Sequence, residues 1–315
     1  MLEEQSPRHE PVLREEVVRL LAPQSGKVYV DGTLGLGGHA LALLEREPML
    51  TLVGIDRDGE ALELARARLA PFGPRLHLVR GNFRDLGAHL ATLGIVRVAG
   101  VLLDLGLSSY QVDTPRRGFS FRSSGPLDMR MDPSSSGSAA ELISTASAEE
   151  LAGLLRRYGE EPFARRVAAA IVAARARGPI ETTDALAEVV RRAVPRRGPP
   201  ARIDAATRTF QALRIAVNDE LLALSEGLAA GFAALEPGGT IAVLSYHSLE
   251  DRIVKDFLRE KASACTCPPD FPICVCGKEV EAEILTRKPV RPDALEVAAN
   301  PRSRSAKLRA ARKVI

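Results

Sequence analysis

Short runs of apolar, largely β-branched residues alternate with segments of helical periodicity over the first hundred residues of the chain. The runs lie at residues 27–31, 50–56, 75–79 and 99–104. The first two are followed by amphipathic segments at 40–45 and 60–69. Strands that alternate with helices are typical of βαβ units, in which helices cover both faces of a parallel sheet. The pattern therefore predicts an α/β fold.

The pattern changes after residue 109. Residues 111–138 are rich in Ser, Pro, Gly and Arg without a clear period, which predicts a long loop. Helical spacing then follows without any strand pattern. The helices predicted here are residues 151–155, preceded by a capping-box sequence at 147–150, residues 163–176, and a helix from Thr183, as its cap, to Val194.

The sheet pattern returns near the end of the chain. Residues 207–235 read as one long helix, 236–239 as a turn and 240–245 as a fifth buried strand. A helix is predicted at 249–260, and the candidate last strands lie at 281–286 and 306–310. We therefore predict two domains. Residues 1–108 and 206–315 form a discontinuous α/β domain, and residues 109–205 form an inserted, mostly helical domain that recognises the substrate.

Length and composition add limits to this picture. The chain has 315 residues, of which 45% are hydrophobic and 26% charged, so it is neither disordered nor collagen-like. It has no apolar run near the ~20 residues of a membrane helix, and its acidic first residues lack the apolar core of a secretory signal. A cytoplasmic protein with no membrane partner is expected.

The net charge of +3 hides an uneven distribution. Residues 191–214 hold seven arginines and one aspartate, a local net of +6, and residues 286–315 hold nine Lys or Arg and two acids, a local net of +7. Such segments are typical of a phosphate-backbone partner, although a solvated arginine-rich surface has the same composition. A nucleic acid is the expected partner, and its binding should weaken steeply with salt.

All four cysteines lie in one short segment, as Cys265, Cys267, Cys274 and Cys276. A local cluster in a cytoplasmic protein is not a disulfide framework. Structural zinc is one interpretation, but two C-x-C pairs differ from the common C-x₂₋₄-C spacing. Redox-labile thiols and no special role remain the alternatives.

The glycine-rich segment at 31–39 (DGTLGLGGH) lies between a predicted strand and helix, and three interpretations fit it. Any tight βα turn favours glycine. A nicotinamide oxidoreductase is the second, because Gly35, Gly37 and Ala40 match the loose dinucleotide fingerprint and Asp56 follows about 20 residues on. Against it, Gly35 comes four residues after the strand end, too late for that fingerprint.

S-adenosylmethionine is the third interpretation. Its ammonium and sulfonium groups suit an acid at the first strand end, here Asp31, and its ribose diol suits Asp56 at the second. Asn82 and Phe83 follow the third strand and suit adenine, and Asp104 ends the fourth strand, where the methyl group meets its acceptor. These positions share the carboxyl edge of the sheet, where open α/β sheets bind ligands.

The chain resembles the RsmH (MraW) family from about residue 9 to the carboxyl terminus. That family methylates the N4 amine of one cytosine in bacterial small-subunit (16S) ribosomal RNA with S-adenosylmethionine. The resemblance implies a Rossmann-like class I methyltransferase sheet with a helical insertion, and RNA, within the 30S particle, as partner; whether the protein is a homodimer stays open. The matching motifs are 9–13 (HEPVL), 31–39 (DGTLGLGGH), 54–58 (GIDRD), 103–109 (LDLGLSS), 117–121 (RGFSF), 125–132 (GPLDMRMD), 206–215 (ATRTFQALRI) and 245–252 (SYHSLEDR).

The resemblance also implies roles for single residues. The methionine end of the cofactor is lined by the glycine loop, and the rest of the pocket by the strand ends and one glutamine. The residues that the resemblance implies are Gly37, Gly38, His39, Asp56, Phe83, Asp104 and Gln111. With Gly35 of the loop and Asn82 at the third strand end, they make up the predicted cofactor-binding residues. The chain departs from the family at two places: Asp204 and Ala205 replace an expected His-Pro, and Tyr246 replaces an expected Phe.

Methylation of an exocyclic amine requires alignment with the sulfonium and an acceptor for the amine proton. The usual acid or amide followed by Pro-Pro-aromatic is absent after the fourth strand, so Asp104, Ser108 and Ser109 are the candidate acceptors. His247 is a candidate to contact the base or move its proton. Helix capping for the serines and a structural role for His247 are the alternatives, and a non-catalytic RNA-binding module is the alternative function.

Further candidates lie in the loop at 111–138 and beside it. Asp128 and Asp132 suit catalysis or Asx turns equally. The aromatic residues suit stacking on a flipped base or a local core, and they are Tyr110, Phe119 and Phe121.

Overall fold

The computed structural model describes residues 11–195, 204–265, 267 and 276–315, and the chain forms two compact units. One contains residues 1–106 and 222–315, and the other contains residues 107–221. The strands are β1 (Val28–Asp31), β2 (Thr51–Asp56), β3 (Leu76–Arg80), β4 (Val98–Asp104), β5 (Leu235–Ser245), β6 (Ala282–Ile284) and β7 (Lys307–Lys313).

Helices make up most of the remaining described residues. The α-helices are α1 (Arg14–Leu21), α2 (Gly38–Arg46), α3 (Gly59–Leu69), α4 (Leu86–Thr92), α5 (Ser109–Asp113), α6 (Ala139–Thr145), α7 (Ala148–Gly159), α8 (Ala164–Arg175), α9 (Thr183–Ala193), α10 (Ala206–Asn218), α11 (Glu220–Ala234), α12 (Ser248–Lys261) and α13 (Ala294–Ala299). Short 3₁₀ turns lie at Ala70–Arg75, Phe83–Asp85, Pro115–Arg117 and Pro301–Ser305. In the described part of the chain, no helix is both long and apolar enough to cross a bilayer.

The first unit is built on one sheet with the strand order β3-β2-β1-β4-β5-β7-β6. Neighbouring strands from β3 to β5 are parallel, and β7 runs antiparallel to both β5 and β6. In the central register Val30 lies opposite Val53 and Val101. All the strands predicted from the apolar runs are present, which confirms the α/β fold.

Helices cover both faces of this sheet because successive side chains of a strand point to opposite sides. On β4, Leu102 packs into a core with α1, α2 and α3, whereas Val101 and Leu103 pack into a second core with α4, α11 and α12. These side chains are fully buried. The continuous apolar runs of the central strands are therefore explained by burial on both faces.

The second unit is helical and has its own core. Leu151 and Leu155 of α7, Ile171 of α8, Leu186 of α9 and Phe210 of α10 are among the buried side chains that build it. α10 belongs here because its apolar face packs on α7 and α9. The unit therefore ends at residue 221, whereas the domain boundary expected from the sequence was 205.

Capping accounts for where several helices begin. The predicted capping box of α7 is present: the Ser147 hydroxyl accepts the Glu150 N–H at 3.2 Å, and the Glu150 carboxylate accepts the Ser147 N–H at 2.7 Å. The cap of α9 is Thr182, one residue before the predicted Thr183. Thr183 is instead the first helical residue and is fully buried.

The long helix predicted over 207–235 is wrong in one respect. The structure has two helices there, α10 and α11, separated at Asp219, which is left-handed with φ 50°. The Asp219 N–H still bonds the Ile215 carbonyl and so ends α10. Aspartate tolerates this conformation better than most residues, so the helix is interrupted here without a glycine or proline that would mark the position in the sequence.

Candidate active site

The glycine-rich loop joins β1 to α2 with two left-handed residues, Gly35 at φ 51° and Gly37 at φ 75°. Gly37 is the N-cap of α2, and its N–H donates to the Leu34 carbonyl at 2.8 Å. A Cβ at Gly37 would lie 2.8 Å from Leu69 Cδ1, so both its conformation and its surroundings require glycine. Among the described residues no side chain caps the start of α2, so the first N–H groups of this helix have no acceptor within it.

Asp56 links the end of β2 to this loop. Its two carboxylate oxygens accept the Gly35 N–H at 2.7 Å and the Asp58 N–H at 2.9 Å. Burial raises the pKa of Asp56, while these two hydrogen bonds lower it. The acid predicted to bind ribose therefore also fixes the position of the loop.

Asp31 ends β1 with its side chain buried, only 2% exposed. Its Oδ1 accepts the Thr33 N–H at 3.1 Å, and the Thr33 hydroxyl in turn accepts the Asp104 N–H at 2.6 Å. Burial and the neighbouring charges of Asp104 and Asp56 raise the pKa of Asp31 to about 7. Three acids thus meet at the carboxyl ends of β1, β2 and β4, where a cationic ligand would relieve their repulsion.

The raised pKa of Asp31 predicts how stability depends on pH. An acid with a pKa of 3.8 in the unfolded chain and about 7 in the folded protein stabilises the fold most at low pH, and this contribution is lost as pH rises through 7. The free energy of unfolding of ligand-free Asp31→Asn, relative to that of wild type, should therefore be higher at pH 8 than at pH 4, by on the order of 3 kcal/mol.

Urea unfolding of wild type and Asp31→Asn at the two pH values measures this difference. Asp85→Asn is the matched control, because Asp85 is exposed and, as the last residue of the 3₁₀ turn before α4, makes no side-chain cap to that helix. A stability difference between Asp31→Asn and wild type that is the same at both pH values would contradict the assignment.

Asp104 at the end of β4 is held on both oxygens. The Tyr246 hydroxyl donates to Oδ1 at 2.8 Å, and Nδ1 of His39 lies 3.5 Å from Oδ2. His39 is buried on α2, and its Nε2 lies 2.9 Å from the Val12 carbonyl oxygen. The structure therefore brings His39 and Asp104 together, as expected for one pocket, and adds Tyr246.

Asn82 and Phe83 follow β3 as predicted, but both have local partners. The Asn82 side chain caps the 3₁₀ turn by accepting the Arg84 N–H at 3.1 Å. The Phe83 ring lies against Gly227, where a Cβ would come within 2.2 Å of Phe83 Cδ2. Phe83 is only partly buried, so its predicted contact with adenine stays a prediction.

Ser108, Ser109 and Gln111 lie in the second unit, at the start of α5. Ser108 is its N-cap: its hydroxyl accepts the Gln111 N–H at 3.2 Å, and the Gln111 side chain accepts the Ser108 N–H at 3.1 Å. Ser109 is the first residue of this helix. The capping alternative is thus realised for Ser108, and the roles of all three residues in transfer or cofactor binding stay predictions.

His247 is the N-cap of α12. Its Nδ1 accepts the Glu250 N–H at 3.3 Å, and its own N–H donates to Glu250 Oε2 at 3.2 Å. Nε2 lies 3.0 Å from Glu250 Oε1, but off the line of a hydrogen bond. The structural alternative is thus present, and the predicted role of His247 in proton transfer stays a prediction.

The acids of the long loop make turns. Asp128 forms an ion pair with Arg130 at 2.7 Å and accepts its N–H at 3.0 Å, and Asp132 accepts the Ser134 N–H at 2.9 Å. Each is an Asx-type turn. The structural alternative to catalysis therefore accounts for both carboxylates.

The aromatic side chains near this loop also have local partners. Phe119 is buried in the core of the second unit, and Phe121 packs edge-on against Phe210 with 4.8 Å between the ring centroids. The Tyr110 hydroxyl accepts a hydrogen bond from Arg116 at 3.0 Å. These contacts favour the local-core alternative for the two phenylalanines.

The departure at Asp204 has a structural account. Its carboxylate accepts the Ala206 N–H at 2.8 Å near the start of α10 and pairs with Arg191 at 3.0 Å. Burial opposes ionisation, but the Arg191 guanidinium and the Ala206 N–H lower the pKa of Asp204. An acid at this position therefore ties α10 to α9.

Three of the four cysteines lie together. The Sγ atoms of Cys265, Cys267 and Cys276 are all within 4.8 Å of one another, and those of Cys265 and Cys276 are 3.8 Å apart. Cys274 lies outside the described residues. The local arrangement is one that a metal ion can join.

Three contributors to the site, Thr33, Tyr246 and Glu250, were given no role by sequence reasoning. Thr33 bonds Asp104 across neighbouring strands, and no sequence pattern marks that contact. Tyr246 was noticed only as a departure from the family. Glu250, which joins Tyr246 to the cap of α12, could have been found from the His-x-x-Glu spacing of a capping box.

The strand order, the antiparallel β7, the glycine turn after β1 and the acids at the ends of β1, β2 and β4 together define a Rossmann-like methyltransferase sheet. The MraW methylase family matches residues 6–314 of the chain. The protein belongs to this family and is a methyltransferase. The nicotinamide and non-catalytic interpretations are therefore not retained.

The curated relatives agree with this assignment. The chain is 54% identical to Ribosomal RNA small subunit methyltransferase H of Syntrophotalea carbinolica, covering 98% of each chain. It is 53% identical to the protein of the same name from Geobacter sulfurreducens, covering 97% of this chain and 99% of that one. It is also similar to the structure of an rRNA methylase from Streptococcus thermophilus, with 10% identity, a TM-score of 0.42 and coverage of 96% and 94%.

Proposed function

We propose that this methyltransferase transfers the methyl group of S-adenosylmethionine to the N4 amine of a cytosine in small-subunit ribosomal RNA, in the cytoplasm. The carrying observation is the carboxylate of Asp104, held by two neighbours at the strand end where the methyl acceptor is expected. The relatives are named as small-subunit ribosomal RNA methyltransferases, which supports the RNA substrate.

The acids and the glycine loop fit a cationic nucleoside cofactor. Asp31 is a buried acid that a positive charge would keep ionised, and Asp56 offers lone pairs for a diol beside the loop. When bound, S-adenosylmethionine supplies an activated methyl group on a sulfonium. We infer that Gly35, Gly37 and Gly38 let the cofactor approach the backbone closely.

The amine of cytosine is a poor nucleophile because its lone pair is delocalised into the ring. Alignment and removal of the amine proton are therefore the main tasks of the protein. Asp104 supplies an oxygen acceptor for that proton, with about a quarter of its side chain exposed to an incoming base. The base must leave its helix to reach this position.

The test is transfer of radiolabelled methyl groups to deproteinised small-subunit RNA and to intact 30S particles, with mapping of the product nucleotide. The proposal expects N4-methylcytosine at one position, and we propose the 30S particle as the better substrate. Label on another base or atom, or no label on either substrate, would overturn it. Sedimentation of the same preparation reports whether the protein is a homodimer.

In the basic segment at 286–315, the structure separates the residues that pair with groups of the protein from those that are exposed. Lys307 and Arg309 both bind Asp251, at 2.9 and 2.7 Å, and Arg312 pairs with Glu283 at 3.3 Å. Lys313 donates to the carbonyls of Phe232 and Ala233 at the end of α11 and of Leu235 at the start of β5. Four other side chains are exposed and have no ion pair within the described residues, and they are Arg287, Lys288, Arg291 and Arg304.

In the basic segment at 191–214, several arginines are paired with acids, so less positive charge is left for an RNA backbone than the composition indicates. Arg191, Arg192 and Arg214 pair with Asp204, Glu188 and Glu220. Arg208 is exposed. The other three arginines, 196, 197 and 202, lie outside the described residues.

We predict that the exposed basic residues of the 286–315 segment without an ion pair among the described residues bind the phosphate backbone. Arg287→Gln with Arg304→Gln should lower the slope of log affinity against log salt by about 2, one for each phosphate contact. Filter binding of RNA at several salt concentrations measures this. Arg66→Gln with Arg259→Gln is the matched control, because it removes the same charge from exposed positions on α3 and α12. Equal slopes for the two double variants would contradict the prediction.

We also propose that the cysteine cluster holds a structural zinc ion. Thiolates bound to tetrahedral zinc at about 2.3 Å lie about 3.8 Å from one another, which the 3.8 Å between Cys265 and Cys276 matches. Cys267 is the third ligand, and we propose Cys274 as the fourth. Metal analysis should find one zinc per chain in the wild type and none in Cys265→Ser. If the purified wild-type protein contains no metal and its thiols react freely with a thiol reagent, the redox alternative is favoured.

A further inference from the structure

The contacts of His39 and Asp104 indicate that these two side chains share one proton. Nε2 of His39 lies 2.9 Å from the Val12 carbonyl oxygen, which can only accept, so Nε2 carries a hydrogen. In a neutral His39, Nδ1 would then be an acceptor facing Oδ2 of Asp104 at 3.5 Å. Two acceptors repel, so one proton belongs to the His39–Asp104 pair.

The Tyr246 hydroxyl acts on the other oxygen of the same carboxylate. It donates to Oδ1 of Asp104 at 2.8 Å, and such a bond stabilises the ionised form of an acid. The backbone of Tyr246 is fixed by its N–H, which donates to Glu250 Oε2 at 2.8 Å, and the Tyr246 ring lies beside Gly106.

We propose that Tyr246 is a positioning residue that keeps Asp104 ionised and aimed by placing the shared proton on His39. Phenylalanine at this position would retain the ring and remove only the hydroxyl. Asp104 would then compete with His39 for the proton. The consequence for transfer is direct, since only the ionised carboxylate accepts the proton of the amine.

Other charged groups face these residues and are unchanged by the substitution. Asp31 lies beside Asp104 from β1, and Glu250 on α12 and Glu296 on α13 act on Tyr246. Burial and the negative charge of Asp104 raise the pKa of Tyr246 well above its usual value, so its hydroxyl remains a donor over the whole range of the experiment.

The first test needs no substrate. Nitrogen-15 NMR of the histidine side chains distinguishes imidazolium from the neutral tautomers, and loss of one signal in His39→Asn assigns that residue among the five. At pH 7 the His39 signal should be that of imidazolium in wild type and shift toward the neutral form in Tyr246→Phe. Tyr29→Phe is the matched control, because that hydroxyl is buried in the same unit and bonds Ala22 and Gln24.

The second test rests on the proposed function. The acid limb of the pH profile of kcat should move up by about 0.5–1 pH unit in Tyr246→Phe, with less than about a threefold change in KM for the cofactor. Tyr29→Phe should lower the melting temperature without moving the limb.

Unchanged His39 signals in a folded Tyr246→Phe would overturn the proposal, whatever the kinetics. A shift equal to that in Tyr29→Phe would do the same. If Tyr246→Phe does not fold, the wild type decides: a neutral His39 signal at pH 7 contradicts the proposal, and an imidazolium signal supports it. Altered NMR signals with no methyl transfer in any protein would instead show that the substrate assignment is wrong.

Discussion

Asp56→Ala should abolish binding of S-adenosylmethionine and leave RNA binding nearly unchanged. The substitution removes the two acceptors proposed for the ribose hydroxyls, and each hydrogen bond to a charged group is worth about 1.5–3 kcal/mol. It also removes the bond that holds the Gly35 N–H at 2.7 Å and so loosens the loop. Together these losses should weaken binding by at least about a hundredfold, as measured by calorimetry.

Glu63→Ala is the matched control for this variant. Glu63 is an exposed acid on α3, the helix that follows β2, and its removal changes the charge equally without touching the loop. Wild-type affinity in Asp56→Ala would mean that the ribose is bound elsewhere. Parallel loss of RNA binding would mean that the fold itself was damaged.

Asp104→Asn should lower kcat for methyl transfer by about 10²–10³-fold, because an amide of the same shape cannot take the proton of the amine. Single-turnover transfer of labelled methyl measures the effect, and calorimetry with the cofactor separates it from binding. The KM for RNA should change little, since the proposed role of the Asp104 carboxylate is at the reacting amine and not in RNA binding.

Asp256→Asn controls for the loss of one carboxylate, since Asp256 lies on the exposed face of α12. Full activity of Asp104→Asn would exclude Asp104 as the acceptor and direct attention to Ser108, Ser109 or His247. A loss confined to cofactor affinity would leave Asp104 in the pocket but not in the chemistry.

The strands β1, β2, β4 and β5 could be predicted because burial on both faces makes each of them a nearly continuous apolar run. The boundary between α10 and α11 could not be predicted, because a single left-handed residue, Asp219, interrupts the helix, and in the sequence it looks like any polar helix position. α1 was missed for a related reason: four of its eight residues are charged, and it has only a narrow apolar face.

The candidate site was predictable where topology alone places residues together. The carboxyl ends of β1, β2 and β4 must meet, so Asp31, Asp56 and Asp104 could be grouped without coordinates. Contacts between side chains were less accessible: the bond of Tyr246 to Asp104 depends on the pairing of β4 with β5. The caps at Ser108 and His247 had a sequence signature in their i, i+3 partners, and it competed with a catalytic interpretation.

The pairing of β4 with β5 has a consequence for how the protein is made. The two strands are neighbours in the sheet, yet the Tyr246–Asp104 bond beside them joins residues 142 positions apart. During synthesis, β1 to β4 leave the ribosome first. The edge of β4 that pairs with β5 stays unpaired until the whole second unit and β5 have followed. Such an edge is prone to pair with other chains, and its late closure is slow. Nascent chains stopped before residue 235 are therefore the species in which aggregation should be sought.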